Sequence, residues 1–332
     1  MSERAIPLSS AQTRSFRRAL LNWYDQNRRD LPWRRDRDPY RIWVSEIMLQ
    51  QTRVAAVLDH YARFMKRFPT VKALASARES SVLALWSGLG YYHRARRMHQ
   101  AAKLIVKERG GVFPKSAEEW LEVPGIGRYT AAAIASIVFN EPVAVVDGNV
   151  ERVLERLLGR VNGREAAWQR AEGLLDRARP GDFNQAMMEL GATVCTPRSP
   201  QCLICPVNSF CVTRGVEEPK QQAPRKSKET YYGFARRDDK LLLIQRAVDA
   251  SLMASMWELP SLSRESLNGD EPLLRVRHSI TDTDYRVSVY SVPTDRLKDS
   301  ASAKWFTTKQ CEGLALTGLT RKILRKLAAE SK

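Results

Sequence analysis

The stretch Val123-Pro124-Gly125-Ile126-Gly127 limits the possible folds of this chain more than any other. Ser116, with Glu119 three residues on, reads as a capping box that opens a short helix through Trp120 and Leu121. Pro124 biases Val123 away from helical dihedrals, so that helix is expected to end there. Gly125 and Gly127 permit a tight turn with positive φ and close backbone approach. A second helix is expected from Arg128 through Phe139, with Ile134, Ile137 and Val138 at helical spacing. Helix, glycine hairpin, helix leaves free backbone N–H groups at the second helix's start, a place suited to a nucleic-acid phosphate. An ordinary helix–helix turn carries the same local signature.

Downstream, Val145-Val146-Asp147-Gly148-Asn149-Val150 precedes a helical run through Val153, Leu154, Leu157 and Leu158. By itself Asp147 reads as a cap or turn residue. The charge balance also favours a polyanionic partner. The 332 residues hold 54 Lys plus Arg against 37 Asp plus Glu, a net +17. Such an excess suits phosphate neutralisation. With no apolar run of spanning length and no cleavable signal, a membrane partner is not expected. A cytoplasmic, nucleoid-associated monomer is.

Five cysteines make an odd set for a disulfide framework. Cys195, Cys202, Cys205 and Cys211 form a C-x6-C-x2-C-x5-C array. Four clustered thiolates suit either zinc or a [4Fe–4S] cluster. Cys311 stands apart and reads as a buried small side chain.

Residues 1 to 40 are strongly basic, and Leu31-Pro32-Trp33-Arg34 reads as a turn carrying an aromatic and a guanidinium. From Arg41 an amphipathic helical stretch is expected to run to Pro69. Glu46 lies in its most apolar part, beside Trp43, Ile47 and Met48. A carboxyl held against apolar walls has its pKa raised, so it remains a proton donor near neutral pH. Trp86-Ser87-Gly88-Leu89-Gly90-Tyr91-Tyr92 is a second glycine turn, followed by a basic run. Its aromatics suit either core packing or insertion into a base stack. Residues 217–230, charged and without large apolar side chains, read as a linker. Beyond it, 231–235, 240–246 and 285–292 read as strands, and 317–329 as a closing helix.

LPWR, SEIMLQQTRV, GLGYY, VPGIGRYTAAA, VDGNV and the four-cysteine loop together resemble the helix-hairpin-helix DNA glycosylase superfamily, and within it the adenine DNA glycosylases. The likeness is close from Leu31 to Cys211 and fainter beyond. It implies an all-helical glycosylase domain (1–216) with a [4Fe–4S] loop on the four cysteines. After the linker a smaller Nudix-like α+β domain (231–332) is implied, one that reads the lesion. No REx2EExG box is present, so nucleotide hydrolysis is not expected of that domain. The implied substrate is double-stranded DNA with adenine opposite 8-oxoguanine or guanine. Implied catalytic residues are Glu46 as proton donor, Asp147 facing the sugar, Tyr129 steadying Asp147 and Asn149 orienting water. Implied DNA contacts are Arg34, Gln51, Thr52, Leu89, Tyr91, Gly125 and Gly127. Relatives that also cut the backbone carry Lys where Tyr129 stands, so simple hydrolysis is expected here. The family's Phe-Ser-His loop is replaced by Ile280-Thr281-Asp282, leaving Ser279 and Thr281 as the expected contacts. The alternatives are a glycosylase with lyase activity on oxidised bases and a non-catalytic damage-binding protein.

Overall fold

The computed structural model describes residues 8–159, 163–214, 224–250, 252–267, 269–280, 282–293 and 302–330. The chain divides into two compact units. One comprises Met1–Val54, Thr70–Lys72 and Gln100–Gln221; the other comprises Ala55–Pro69, Ala73–His99 and Gln222–Lys332. The units are thus interleaved in sequence, whereas composition divides the chain at 217–230.

Helices come first: α1 (Ser10–Asn27), α2 (Pro39–Leu49), α3 (Val54–Arg67), α4 (Val71–Ala75), α5 (Glu79–Trp86) and α6 (His93–Arg109). A capping box between Ser9 and Gln12 starts α1, and Asp38 caps α2 ahead of Pro39. The expected continuous helix from Arg41 to Pro69 is in fact two. Gln51 adopts φ 55°, and a left-handed residue cannot continue a right-handed helix. The break leaves α2 buried on nearly every face from Tyr40 to Met48.

α7 (Ala117–Leu121) stops two residues short of Val123, with Glu122 as its C-cap. Gly125 takes φ 83°, and α8 (Arg128–Phe139) then runs as its periodicity predicts, ending at left-handed Asn140. There follow α9 (Gly148–Leu158), α10 (Arg164–Leu174) and α11 (Pro180–Thr193). The core of this unit holds Trp43, Phe113 and Trp120 in mutual ring contact. α11 packs against α1, α8 and α9. A Cβ on Gly191 would come 2.7 Å from the Cβ of Asn149, so only glycine lets α11 approach α9 that closely.

In the other unit the strands are β1 (Lys226–Phe234), β2 (Arg236–Arg237), β3 (Lys240–Gln245), β4 (Trp257–Glu258), β5 (Ser261–Leu262), β6 (Leu274–Ile280), β7 (Thr283–Ser291) and β8 (Ala303–Thr307). Two helices close the chain, α12 (Thr308–Glu312) and α13 (Gly318–Glu330). One sheet has the order β5-β1-β7-β6; in the other β3 pairs with β2, β4 and β8. β1 and β7 are parallel, Lys226 opposite Thr283. β1 therefore reaches back to Lys226, into the expected linker, because β7 offers its polar residues a backbone partner. Residues 217–223 of that linker lie outside the described residues. Leu243, Leu259, Val287, Val289 and Ile323 centre the core between the sheets and α13.

Candidate active site

Three side chains far apart in sequence meet in the helical unit. Glu46 hangs from α2 and is 6% exposed. The Tyr129 hydroxyl, one residue into α8, donates to Glu46 Oε2 at 2.8 Å. Met188 Sδ, on α11, lies 3.3 Å from the same hydroxyl. Burial pushes the Glu46 carboxyl up to about 7. The Tyr129 hydrogen bond opposes that rise, the Asp147 charge adds to it, and Arg34 opposes it. Burial likewise lifts the Tyr129 phenol well above its ordinary range, so it stays a donor.

Asp147 is the N-cap of α9. Its Oδ1 accepts from the backbone N–H groups of Asn149 (2.9 Å) and Val150 (2.8 Å), and its Oδ2 from Asn149 Nδ2 (2.9 Å). The cap expected of Asp147 is formed: it fixes the carboxylate while leaving it half-buried, with its charge bearing on Glu46. Tyr129, expected on Asp147, bonds Glu46 instead.

Sequence reasoning missed two residues here. Arg152, one turn into α9, donates to Asn149 Oδ1 (3.0 Å), the Gly191 carbonyl (2.7 Å) and the Cys195 carbonyl (2.9 Å). Glu189, 1% exposed, accepts from Arg29 (2.6 and 2.8 Å) and from Arg34 (2.9 Å). Burial alone would raise Glu189, but the two guanidiniums hold it at about 2. The signal for Arg152 is its i+3 spacing from Asn149, which puts the two side by side on α9; nothing local marks Glu189.

Arg34, expected at phosphate, is thus an internal partner, its side chain 12% exposed. Charge-assisted hydrogen bonding to a buried carboxylate, with a second bond to the Arg29 carbonyl, offsets the cost of taking the guanidinium out of solvent. Gln51 is exposed at the α2–α3 break. Its neighbour Gln50, not expected at the site, donates to Thr130 Oγ1 at 3.1 Å. Thr52 is half-buried, bonding the Gln50 carbonyl. Gly125 and Gly127 are exposed at the hairpin.

In the other unit, Tyr91 is 39% exposed with φ 47°. Leu89, expected at the interface, is buried at 6%, drawn under the turn by its apolar side chain. Ser279 donates to Asp284 Oδ1 at 2.6 Å; Thr281 lies outside the described residues.

The four cysteines lie close enough for their charges to bear on one another. Burial pushes Cys205 up to about 11, and Cys195, Cys211 and Cys202 each add to that rise. Thiolates so placed need a strong cationic centre. Among the described residues no three His, Cys, Asp or Glu side chains are gathered to hold a single ion. Four cysteines within reach of one another's charge supply the thiolate set that a [4Fe–4S] cluster takes.

The sequence matches two family models: "HhH-GPD superfamily base excision DNA repair protein" over residues 44–175, and "Iron-sulfur binding domain of endonuclease III" over 195–211. A thermostable thymine-DNA glycosylase structure superposes with TM-score 0.58 at 30% identity, covering 61% of this chain and 97% of that one. Fold, hairpin and paired carboxyls define a helix-hairpin-helix DNA glycosylase of base excision repair, an enzyme that hydrolyses N-glycosidic bonds, with a [4Fe–4S] cluster on its cysteine loop.

Relatives narrow the class. Mouse adenine DNA glycosylase is 37% identical over 95% of this chain and 78% of its own length. The human protein is 51% identical over 64% of this chain, an alignment spanning 41% of the human sequence. The chain belongs to the adenine DNA glycosylase family. Among the described residues no helix is long and apolar enough to cross a membrane.

Proposed function

We propose that the chain excises adenine mispaired with 8-oxoguanine or guanine in double-stranded DNA, acting as a cytoplasmic, nucleoid-associated monomer. The observation that carries this reading is Glu46, buried beneath the Tyr129 hydroxyl that donates to it at 2.8 Å, where burial pushes its carboxyl up to about 7 within the field of a second carboxylate. Adenine leaves poorly until N7 is protonated, and Glu46 supplies that proton. As the glycosidic bond lengthens, positive charge grows on the sugar; Asp147, oriented by its three N–H donors, stabilises it. Two carboxyls with divergent protonation states are the general device for such cleavage. Asn149, its amide committed to Asp147 and Arg152, acts by holding the carboxylate. Tyr129 keeps Glu46 aimed.

The base is unreachable in a duplex and must be flipped out. Tyr91 is the wedge that fills the gap, Gln51 contacts the distorted strand, and the α8 N-terminus at Gly125–Gly127 holds a phosphate. We assign base excision to the helical residues within 1–216 and lesion reading to the sheet-bearing module that begins with β1 at Lys226. With no amine at position 129 the product is an intact abasic strand. The cluster's part is structural, holding the loop of 195–211 in place.

The test is single-turnover incubation with duplexes carrying adenine opposite 8-oxoguanine, guanine or thymine, analysed with and without alkali. Excision opposite 8-oxoguanine and guanine, with strand breakage only after alkali, is expected. Breakage without alkali, or excision indifferent to the opposite base, would refute the reading.

A further inference from the structure

The turn from Trp86 to Tyr92 is costly to hold. Gly88, Gly90 and Tyr91 take φ of 111°, 71° and 47°, and of these only the tyrosine, which has a Cβ, is strained by a left-handed conformation. Part of the support is internal. Trp86 Nε1 donates to the Gly90 carbonyl at 3.1 Å. Arg94 donates to the Leu89 and Gly90 carbonyls, its guanidinium 5.4 Å from the Tyr91 ring centre.

The rest comes from residues far along the chain. Ser87, 5% exposed, donates its hydroxyl to the Leu316 carbonyl at 2.6 Å, 229 residues away. Arg321 Nε, on the first turn of α13, donates to that same hydroxyl at 2.9 Å. The Tyr92 hydroxyl approaches the Leu316 carbonyl at 3.4 Å and accepts from Gly88 N–H at 3.4 Å. Leu316 itself is pinned: Trp257 N–H donates to Ala315, and Thr317 N–H to Trp257, both at 2.9 Å. A Cβ on Gly318 would lie 3.9 Å from the Tyr92 hydroxyl and 4.0 Å from His278 Cε1. Thus β4 and the start of α13 hold the Leu316 carbonyl and the Ser87 hydroxyl at the base of one strained turn.

We propose that Arg321 and Ser87 are positioning residues for recognition of the mispair: they lock the Tyr91 turn to the α+β module, so that the module sets the angle at which the tyrosine enters DNA. A plain packing contact needs no buried hydroxyl used at once as donor and acceptor. Here Ser87 does both, and a single bond lost leaves a buried polar group unsatisfied. The inference rests on Tyr91 as the wedge.

A double-mutant cycle on the full chain tests it. Affinity for the adenine:8-oxoguanine duplex and the excision-rate ratio over adenine:guanine are measured for Tyr91→Ala, Arg321→Gln, Ser87→Ala and the Arg321→Gln/Tyr91→Ala pair. Tyr91→Ala is expected to weaken affinity about tenfold, the scale of one lost base stack. Arg321→Gln should reproduce most of that loss, and the pair should be no worse than Tyr91→Ala alone. Arg321→Lys, which keeps a donor towards Ser87, should recover affinity. Should Arg321→Gln not fold, Ser87→Ala enters the same cycle in its place. Wild-type behaviour of the Arg321 and Ser87 variants, or effects additive with Tyr91→Ala, would overturn the clamp. A wild-type Tyr91→Ala would instead overturn the wedge.

Discussion

Glu46 and Glu189 are the same side chain in nearly the same degree of burial, 6% and 1% exposed, yet one is held near 7 and the other near 2. Glu46 faces a neutral phenol and a second carboxylate. Glu189 faces two guanidiniums. Burial by itself raises a carboxyl, and only the cationic neighbours of Glu189 reverse that direction. Arg34 touches both environments: it bonds Glu189 and mildly restrains the rise at Glu46. The helical unit thus holds a proton on one buried carboxyl and excludes it from the other.

The sharpest way to break this contrast is Glu46→Gln, which keeps shape and removes the acid. Adenine excision should fall by at least about 10²-fold, the scale of lost general acid catalysis, while mispair binding survives. Near-normal single-turnover excision would end the assignment. Glu189→Gln attacks the other side. Removing the anion strands two guanidiniums, and urea unfolding should show a loss of about 3 kcal/mol, as when one partner of a buried pair is deleted. A change within error would mean the pair is dispensable.

Tyr129→Phe should act more gently. It deletes the bond that restrains Glu46, so the alkaline limb of the pH–rate profile, otherwise falling through about 7, should move to higher pH. A limb that stays put would place the titrating acid elsewhere. Smallest is the effect on stability against pH. Glu46, raised in the fold, contributes stability fully present below its ordinary 4.5 and lost as pH rises through about 7. Glu189, depressed, contributes stability present above 4.5 and lost as pH falls through about 2. Melting midpoints of Glu46→Gln should therefore decline less than wild type between about pH 5 and pH 8.

Much of the architecture is legible in the sequence. The span of α8, the glycine hairpin, the capping position of Asp147 and the cysteine array all follow from neighbours a few residues apart. The break at Gln51 does not, because apolar spacing continues across it and only the burial of α2 makes a left-handed residue worth its cost. Strand β1 is hidden for a related reason: Lys226 to Thr230 look like linker until β7 lies alongside. Leu89 and Arg34 resemble interface residues in sequence, and only the fold shows how far both are buried.

What neighbours in the chain decide are periods, caps, left-handed turns and ligand spacing, since each depends on dihedrals and contacts within a few residues. Protonation is another matter. The partner of Glu46 lies 83 residues away and the Arg29 partner of Glu189 lies 160 away. A pKa reports desolvation and field at one point in space, and only the packing of α2, α8, α9 and α11 brings those charges to it.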